Sequence, residues 1–148
     1  MALTFKQIED RASLRDAAGF EFKWDMPDSP NTITVSNVID GRSVALAEYE
    51  HVPEDLYNYL HLLEVIPEYR GTEVAGQMLA YVAWDSVVNG FEGFVAFEPK
   101  TLIYNYYIAK YGARPLVGRK LFFGTEASVN LIHRYLGGDY VKDIETYL

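Results

Sequence analysis

The sequence predicts an α/β chain, specifically an α+β mixed sheet with helices packed on it. Three observations predict it. Two β-prone runs, Ile33 to Ile39 and Ser43 to Tyr49, meet across Asp40-Gly41, which is a hairpin signal. Residues 74–88 are too long and too apolar for a strand and keep helical spacing. On either side of that helix lie strand-like runs, so a strand–helix–strand unit with a right-handed crossover follows the hairpin.

The elements are expected in this order. Residues 6–18 read as a short helix ended by Gly19, and Gly19 to Trp24 as a weakly alternating strand. Met26-Pro27-Asp28-Ser29-Pro30-Asn31 is turn chemistry. These first 30 residues carry the weakest pattern in the chain. Ile33, Val35 and Ile39 fall at even spacings before Asp40-Gly41, and Ser43 to Tyr49 returns. Pro53-Glu54-Asp55 breaks the chain, and Tyr57 to Ile66 is the next strand, closed by Pro67. Residues 74–88 form a helix buried on most sides, stopped by Asn89-Gly90. Gly93 to Phe97 reads as a buried strand ended by Pro99, and residues 101–111 as a helix ended by Gly112. Leu116 to Phe123 is expected as one strand bent at Gly118. Thr125 is the expected N-cap of a last helix with the stripe Val129, Ile132, Leu136, and Gly137 follows.

Length and composition bound the function. The chain has 148 residues, which fits a single domain over 1–148. Lys and Arg number 13 against 21 Asp and Glu, a net charge of −8, which argues against nucleic-acid binding and suits a cationic partner. There is no Cys, so disulfides, thiolate metal sites and a Cys nucleophile are excluded together. The opening residues lack an apolar signal core, and no run of ~18 apolar residues would span a membrane. A cytoplasmic protein with no membrane partner is the expectation. No serine-hydrolase elbow, H-E-x-x-H, phosphate-binding Walker loop or calcium loop is present, and no His/carboxylate set has metal spacing.

The chemistry concentrates at residues 65–79. A strand ends at Pro67, a turn of small residues follows, and a buried helix begins near Thr72 or Glu73. The first turn of a helix offers unpaired N–H groups and partial positive charge. Small residues let an anion approach that backbone, and Arg70 adds a cation.

Val65, Pro67, Arg70, Gly71, Ala75 and Met78 fit the pattern V-x-P-x-x-R-G-x-G-x-G/A-x-x-L. On these residues and the element order from 31 to about 123, the chain resembles the GNAT superfamily of acyl-CoA-dependent N-acyltransferases. The resemblance implies a central mixed, mostly antiparallel sheet flanked by helices. It implies acetyl-CoA as cosubstrate and a small-molecule or peptide amine as acceptor. Arg70, Gly71, Thr72, Glu73, Val74, Ala75 and Gly76 would face the pyrophosphate, and the strand end from Leu63 to Val65 would pair with the pantetheine arm. Glu73 stands where the family has Gly, which places a carboxylate beside a phosphate unless it turns to solvent. A non-catalytic interaction module on the same fold is the alternative that this departure raises.

Without Cys, direct transfer in a ternary complex is the natural route. Strand alternation puts Tyr59, His61, Leu63 and Val65 on one face and Leu60, Leu62, Glu64 and Ile66 on the other. Histidine titrates near neutral pH, which suits a general base. In several amine-acetylating members of the family a base sits on this strand four residues before the motif Val, where this chain has His61. Glu64, on the opposite face, is the rival. His51 and His133 read as surface residues. For the acid that protonates the leaving thiolate, anchoring the family's second helix on Gly112 places Ile108 at the Tyr position and Thr101 at the Asn position. Tyr107 lies one residue away, and Tyr104 and Tyr111 share the Ile108 face. Tyr107 is the chosen acid, with Tyr104 and Tyr111 open. Lys120-Leu121-Phe122-Phe123 is the segment expected at a homodimer seam.

Overall fold

The computed structural model describes residues 4–14, 18–22, 24 and 31–148. Its strands are β1 (Thr4–Gln7), β2 (Ile33–Ile39), β3 (Arg42–Val52), β4 (Tyr57–Val65), β5 (Val95–Phe97), β6 (Arg114–Pro115) and β7 (Leu121–Phe123). The helices are α1 (Val74–Val88), α2 (Tyr104–Tyr111), α3 (Thr125–Tyr135) and α4 (Gly138–Tyr147). The strands form one sheet in the order β1-β2-β3-β4-β5-β7-β6. Every neighbouring pair is antiparallel except β4–β5, which is parallel.

The β2–β3 hairpin forms as its turn chemistry dictates. Asp40 and Gly41 both take positive φ, 51° and 76°, which matches the twist of a two-residue hairpin loop. α1 occupies the predicted span. It is apolar nearly all round because the sheet covers one side while α3 and α4 cover others. Alternation along β3 divides the core: Ala45, Ala47 and Tyr49 turn to the large cluster with α1, while Leu46 turns to a small one with Leu14 and Trp24. The N-terminal segment therefore covers the sheet face away from α1. Arg11 anchors it by donating from Nη1 to the fully buried Glu48 and from Nε to Trp24 O at 2.7 Å.

Several expectations change. The described residues of the 6–18 span form no α-helix: Thr4–Gln7 is an edge strand, followed by a 3-10 turn at Arg11–Leu14. Phe5 is the residue of β1 that packs inward, onto Tyr81 and Tyr140, so the strand carries no alternation to read. The described residues from Gly19 to Trp24 form no strand, because their backbone bonds to a side chain. The turn expected at Met26–Asn31 lies outside the described residues, apart from Asn31. Leu116 to Phe123 is a reversal rather than one strand. Gly118, at φ 58°, closes a tight loop in which Leu116 and Lys120 share a hydrogen bond, and β6 pairs back onto β7. Thr125 is the first residue of α3, and its side chain caps nothing. After α3, Gly137 and Gly138 both take positive φ, and the chain turns into α4, which the sequence reading lacked. α4 docks through the Trp84 indole, which donates to Asp143 at 2.8 Å. Among the described residues no helix is long and apolar enough to cross a membrane.

Candidate active site

β4 and β5 pair through Asn58↔Val95, Tyr59↔Ala96 and Leu60↔Phe97, and then part. β4 runs on to Val65, whereas the other chain meets Pro99, which has no N–H for a ladder, and turns away. Two cavities fill the gap. One, of about 270 Å³, is walled by His61, Leu63, Phe97, Glu98, Lys100 and Phe22, among others. The second, of about 330 Å³, lies between Val65, Arg70, Gly71, Thr72 and Ala75 on one side and Tyr106 and Tyr111 on the other. Ile103 and Tyr107 wall both, so the cavities are two ends of one cleft.

The β3–β4 ladder slips inside this cleft. Glu48 pairs with Leu62 and Tyr49 with Leu60, which makes His61 the extra residue of a β-bulge. The expected faces change with it. Leu60 joins Leu63 and Val65 in the core beside α1, while Leu62 packs on the N-terminal side. His61 stays at the cleft wall, where Nε2 lies 2.6 Å from Glu50 Oε1 and the ring meets the Tyr59 ring edge-on at 4.8 Å.

Glu64 does not reach the cleft. Its carboxylate accepts from Glu21 N at 2.7 Å, Phe22 N at 3.1 Å and Trp24 Nε1 at 2.7 Å. It is a buried anchor for the N-terminal segment, and it brings Phe22 to the cavity wall.

The turn after β4 has the shape that its small residues suggest. Arg70 Nε donates to Val65 O at 3.0 Å, folding the side chain back over the strand end. Gly71 takes φ 78° and faces open space, a conformation that a side chain would strain. Thr72 Oγ1 accepts from Val74 N at 3.3 Å, and the backbone ladder of α1 begins with Gln77 N donating to Glu73 O at 2.9 Å. Among the described residues, the N–H groups of Gly71, Glu73, Ala75 and Gly76 meet no acceptor. Glu73 is exposed at the N-cap. Val74 and Gly76 are buried: Val74 sits in the core, and the Cα of Gly76 lies against the Tyr135 ring of α3. These two residues offer the turn only backbone.

No family model and no curated protein matches the sequence. Solved structures do match. AtaTR bound with acetyl-CoA aligns with a TM-score of 0.63 at 16% identity, covering 88% of this chain and 98% of that one. YhhK of E. coli, solved bound to coenzyme A, aligns at 0.63 and 16%, covering 84% and 100%. An acetyltransferase of the GNAT family from Staphylococcus aureus Mu50 aligns at 0.58 and 12%, covering 84% and 99%. The fold is that of the GNAT acetyltransferases.

Within this GNAT fold the tyrosines of α2 take different places. Tyr107 stands at the junction of the two cavities and packs on Phe97 at 5.0 Å. Burial, and then the Tyr106 phenol, raise its pKa. Tyr104 and Ile108 turn to the core and wall neither cavity. Tyr111 walls the turn-side cavity but is buried, and burial raises its pKa first. Tyr106 is half exposed, and the hydrogen bond from Lys110 Nζ at 2.9 Å lowers its pKa.

Two residues of the cleft, Phe22 and Lys100, and the His61 partner Glu50 escaped the sequence reading. Glu50 was one place beyond the expected end of its strand, although pairing back from the Pro53 turn would have set it near His61. Phe22 and Lys100 reach the cavity from segments with no motif, Lys100 lying 5.4 Å over the Phe22 ring. His51 is not a free surface residue: it pairs with Asp85 at 2.7 Å on α1, whereas His133 is exposed as expected.

Proposed function

We propose that the protein is an acyl-CoA-dependent N-acyltransferase, most simply moving an acetyl group from acetyl-CoA to a primary amine. One observation carries the reading. The edge of β4 from His61 to Val65, which pairs with no strand beyond Leu60, leads to a turn in which, among the described residues, the N–H groups of Gly71, Glu73, Ala75 and Gly76 meet no acceptor. A pantetheine arm is amide-rich and extended, so it suits a strand edge. A pyrophosphate suits the N–H groups and open space at Gly71. Glu73 is exposed and free to turn to solvent, so the residues present fit the cosubstrate.

His61 takes a proton from the acceptor ammonium and frees the nitrogen lone pair. The nitrogen bonds to the thioester carbonyl carbon, the C–S bond breaks, and sulfur leaves with the electron pair. Tyr107, kept protonated by burial, gives that sulfur a proton and is restored by the second proton of the amine nitrogen. The wall at Phe97, Leu63 and Phe22 keeps water from the thioester.

Glu73 favours a second reading, a binding module that keeps the fold without the catalysis. Calorimetric titration with acetyl-CoA, CoA and dephospho-CoA separates the two. Micromolar binding that Gly71→Glu abolishes supports the acyltransferase. No binding at millimolar acetyl-CoA overturns it in favour of the module.

A further inference from the structure

We propose that Glu50 is the positioning residue for His61, holding the ring with its proton on Nε2 so that Nδ1 is the atom that takes the proton of the acceptor amine. The inference rests on the acyltransferase reading above and adds a residue and an atom to it. The contact is 2.6 Å between His61 Nε2 and Glu50 Oε1. An ionised carboxylate only accepts, so the nitrogen facing it is the one that bears hydrogen. A neutral imidazole with hydrogen on Nε2 has its lone pair on Nδ1. Among the described residues Nδ1 has no hydrogen-bond partner.

The backbone explains why the pair forms here. Glu50 lies opposite Tyr59 in the ladder, and the bulge takes His61 out of strict pairing just beyond it. Tyr59 supports the ring from its own strand. Glu98 and Lys100 beyond β5, Phe22 and Tyr107 face His61 across the cavity, and none of them bonds it. The protein also holds an internal contrast. His51 and Asp85 form a similar pair at 2.7 Å, but Asp85 also takes the Asn58 amide at 3.0 Å, and neither residue walls the cleft. What separates the two pairs is the cavity, not the hydrogen bond.

Nitrogen-15 NMR of the resting protein reads the ring state of each of the three histidines, with His61→Gln assigning the signal. Wild-type His61 is expected as the Nε2–H form. Glu50→Leu is expected to mix the two neutral forms, leave His51 unchanged, and cut kcat about 10- to 100-fold with KM for acetyl-CoA within about twofold. Glu50→Gln keeps an acceptor oxygen and is expected to recover part of both readouts. A wild-type His61 carrying hydrogen on Nδ1, or a Glu50→Leu protein with unchanged ring state and kcat, overturns the role of Glu50. A wild type that acylates no amine overturns the acyltransferase reading itself, whatever the spectra show.

Discussion

Glu64 on β4 and Trp24 in the N-terminal segment are joined by one hydrogen bond, the indole N–H donating to Oε1 at 2.7 Å. Both residues are buried, and the same carboxylate holds the N–H groups of Glu21 and Phe22. Removing the carboxylate strands the buried indole N–H and takes the acceptor from two part-buried backbone N–H groups. Glu64→Ala is expected to lose roughly 2–4 kcal/mol in urea unfolding and to shift Trp24 emission to the red. Trp84, held by Asp143, serves as the unchanged reference. Wild-type stability in the variant would remove Glu64 as an anchor.

Gly71 and Gly76 sit five places apart and do different work. An added methyl at Gly76 falls well inside contact distance of the Tyr135 ring. Alanine normally favours a helix by about 1 kcal/mol over glycine, so clash and propensity oppose each other. Overpacking of a core contact costs about 1–3 kcal/mol and should win, leaving Gly76→Ala less stable than wild type. Tyr135→Ala should reverse the sign of that effect, a non-additive pair in thermal unfolding. Gly71→Ala meets open space and is expected to cost only the ~1–2 kcal/mol of a left-handed residue, while weakening acetyl-CoA binding.

Glu73→Gly removes a carboxylate from beside the open N–H groups. Acetyl-CoA should bind several-fold more tightly, and the gain should shrink as salt rises, because exposed charges are screened. The helix loses a favourable charge at its N-terminus, so stability should fall by about 0.3–1 kcal/mol. Unchanged affinity at low salt would show that Glu73 points away from the ligand.

Alkaline pH should unfold the protein through its buried phenols. Burial, then Asp85 and Tyr140, push Tyr81 from an ordinary value of 10 up to about 12. Burial raises Tyr107 and Tyr111 as well. Between the two Tyr81 values the unfolded chain releases a proton that the folded chain keeps, so stability is whole below pH 10 and falls toward pH 12. Each such phenol contributes up to about 1.4 kcal/mol per pH unit, less where water screens it. Tyr81→Phe should lose less of its urea midpoint between pH 9.5 and 11 than wild type does. Equal losses would clear Tyr81 of the effect.

The middle of the chain was legible because its local and tertiary signals agree. The Asp40-Gly41 hairpin needs only a two-residue turn, and α1 is apolar because it is enclosed. The motif at Val65 to Met78 also landed where its spacing placed it, on a turn with unpaired N–H groups. The ends were illegible for one shared reason. Phe5, Trp24 and Tyr140 are each held by a partner distant in sequence, so no window around them carries a period. Glu64 looked like a rival base because its three donors lie about 40 residues away. Gly118 read as a bend, since a glycine marks a break without saying whether the chain reverses there.

The bulge at His61 is one residue of phase. Upstream of it, Asn58 and Leu60 face α1; downstream, Leu63 and Val65 do. The odd step between Leu60 and Leu63 is what lets both halves of the strand face the same helix. Strict alternation over the residues now present would force one half to turn over. The core would then receive Tyr57 and Tyr59, or Leu62 and Glu64, in place of its present side chains. The bulge therefore carries the phase of the strand: a chain one residue shorter between Leu60 and Leu63 would keep both halves on α1 without it, and would lose the step that holds His61.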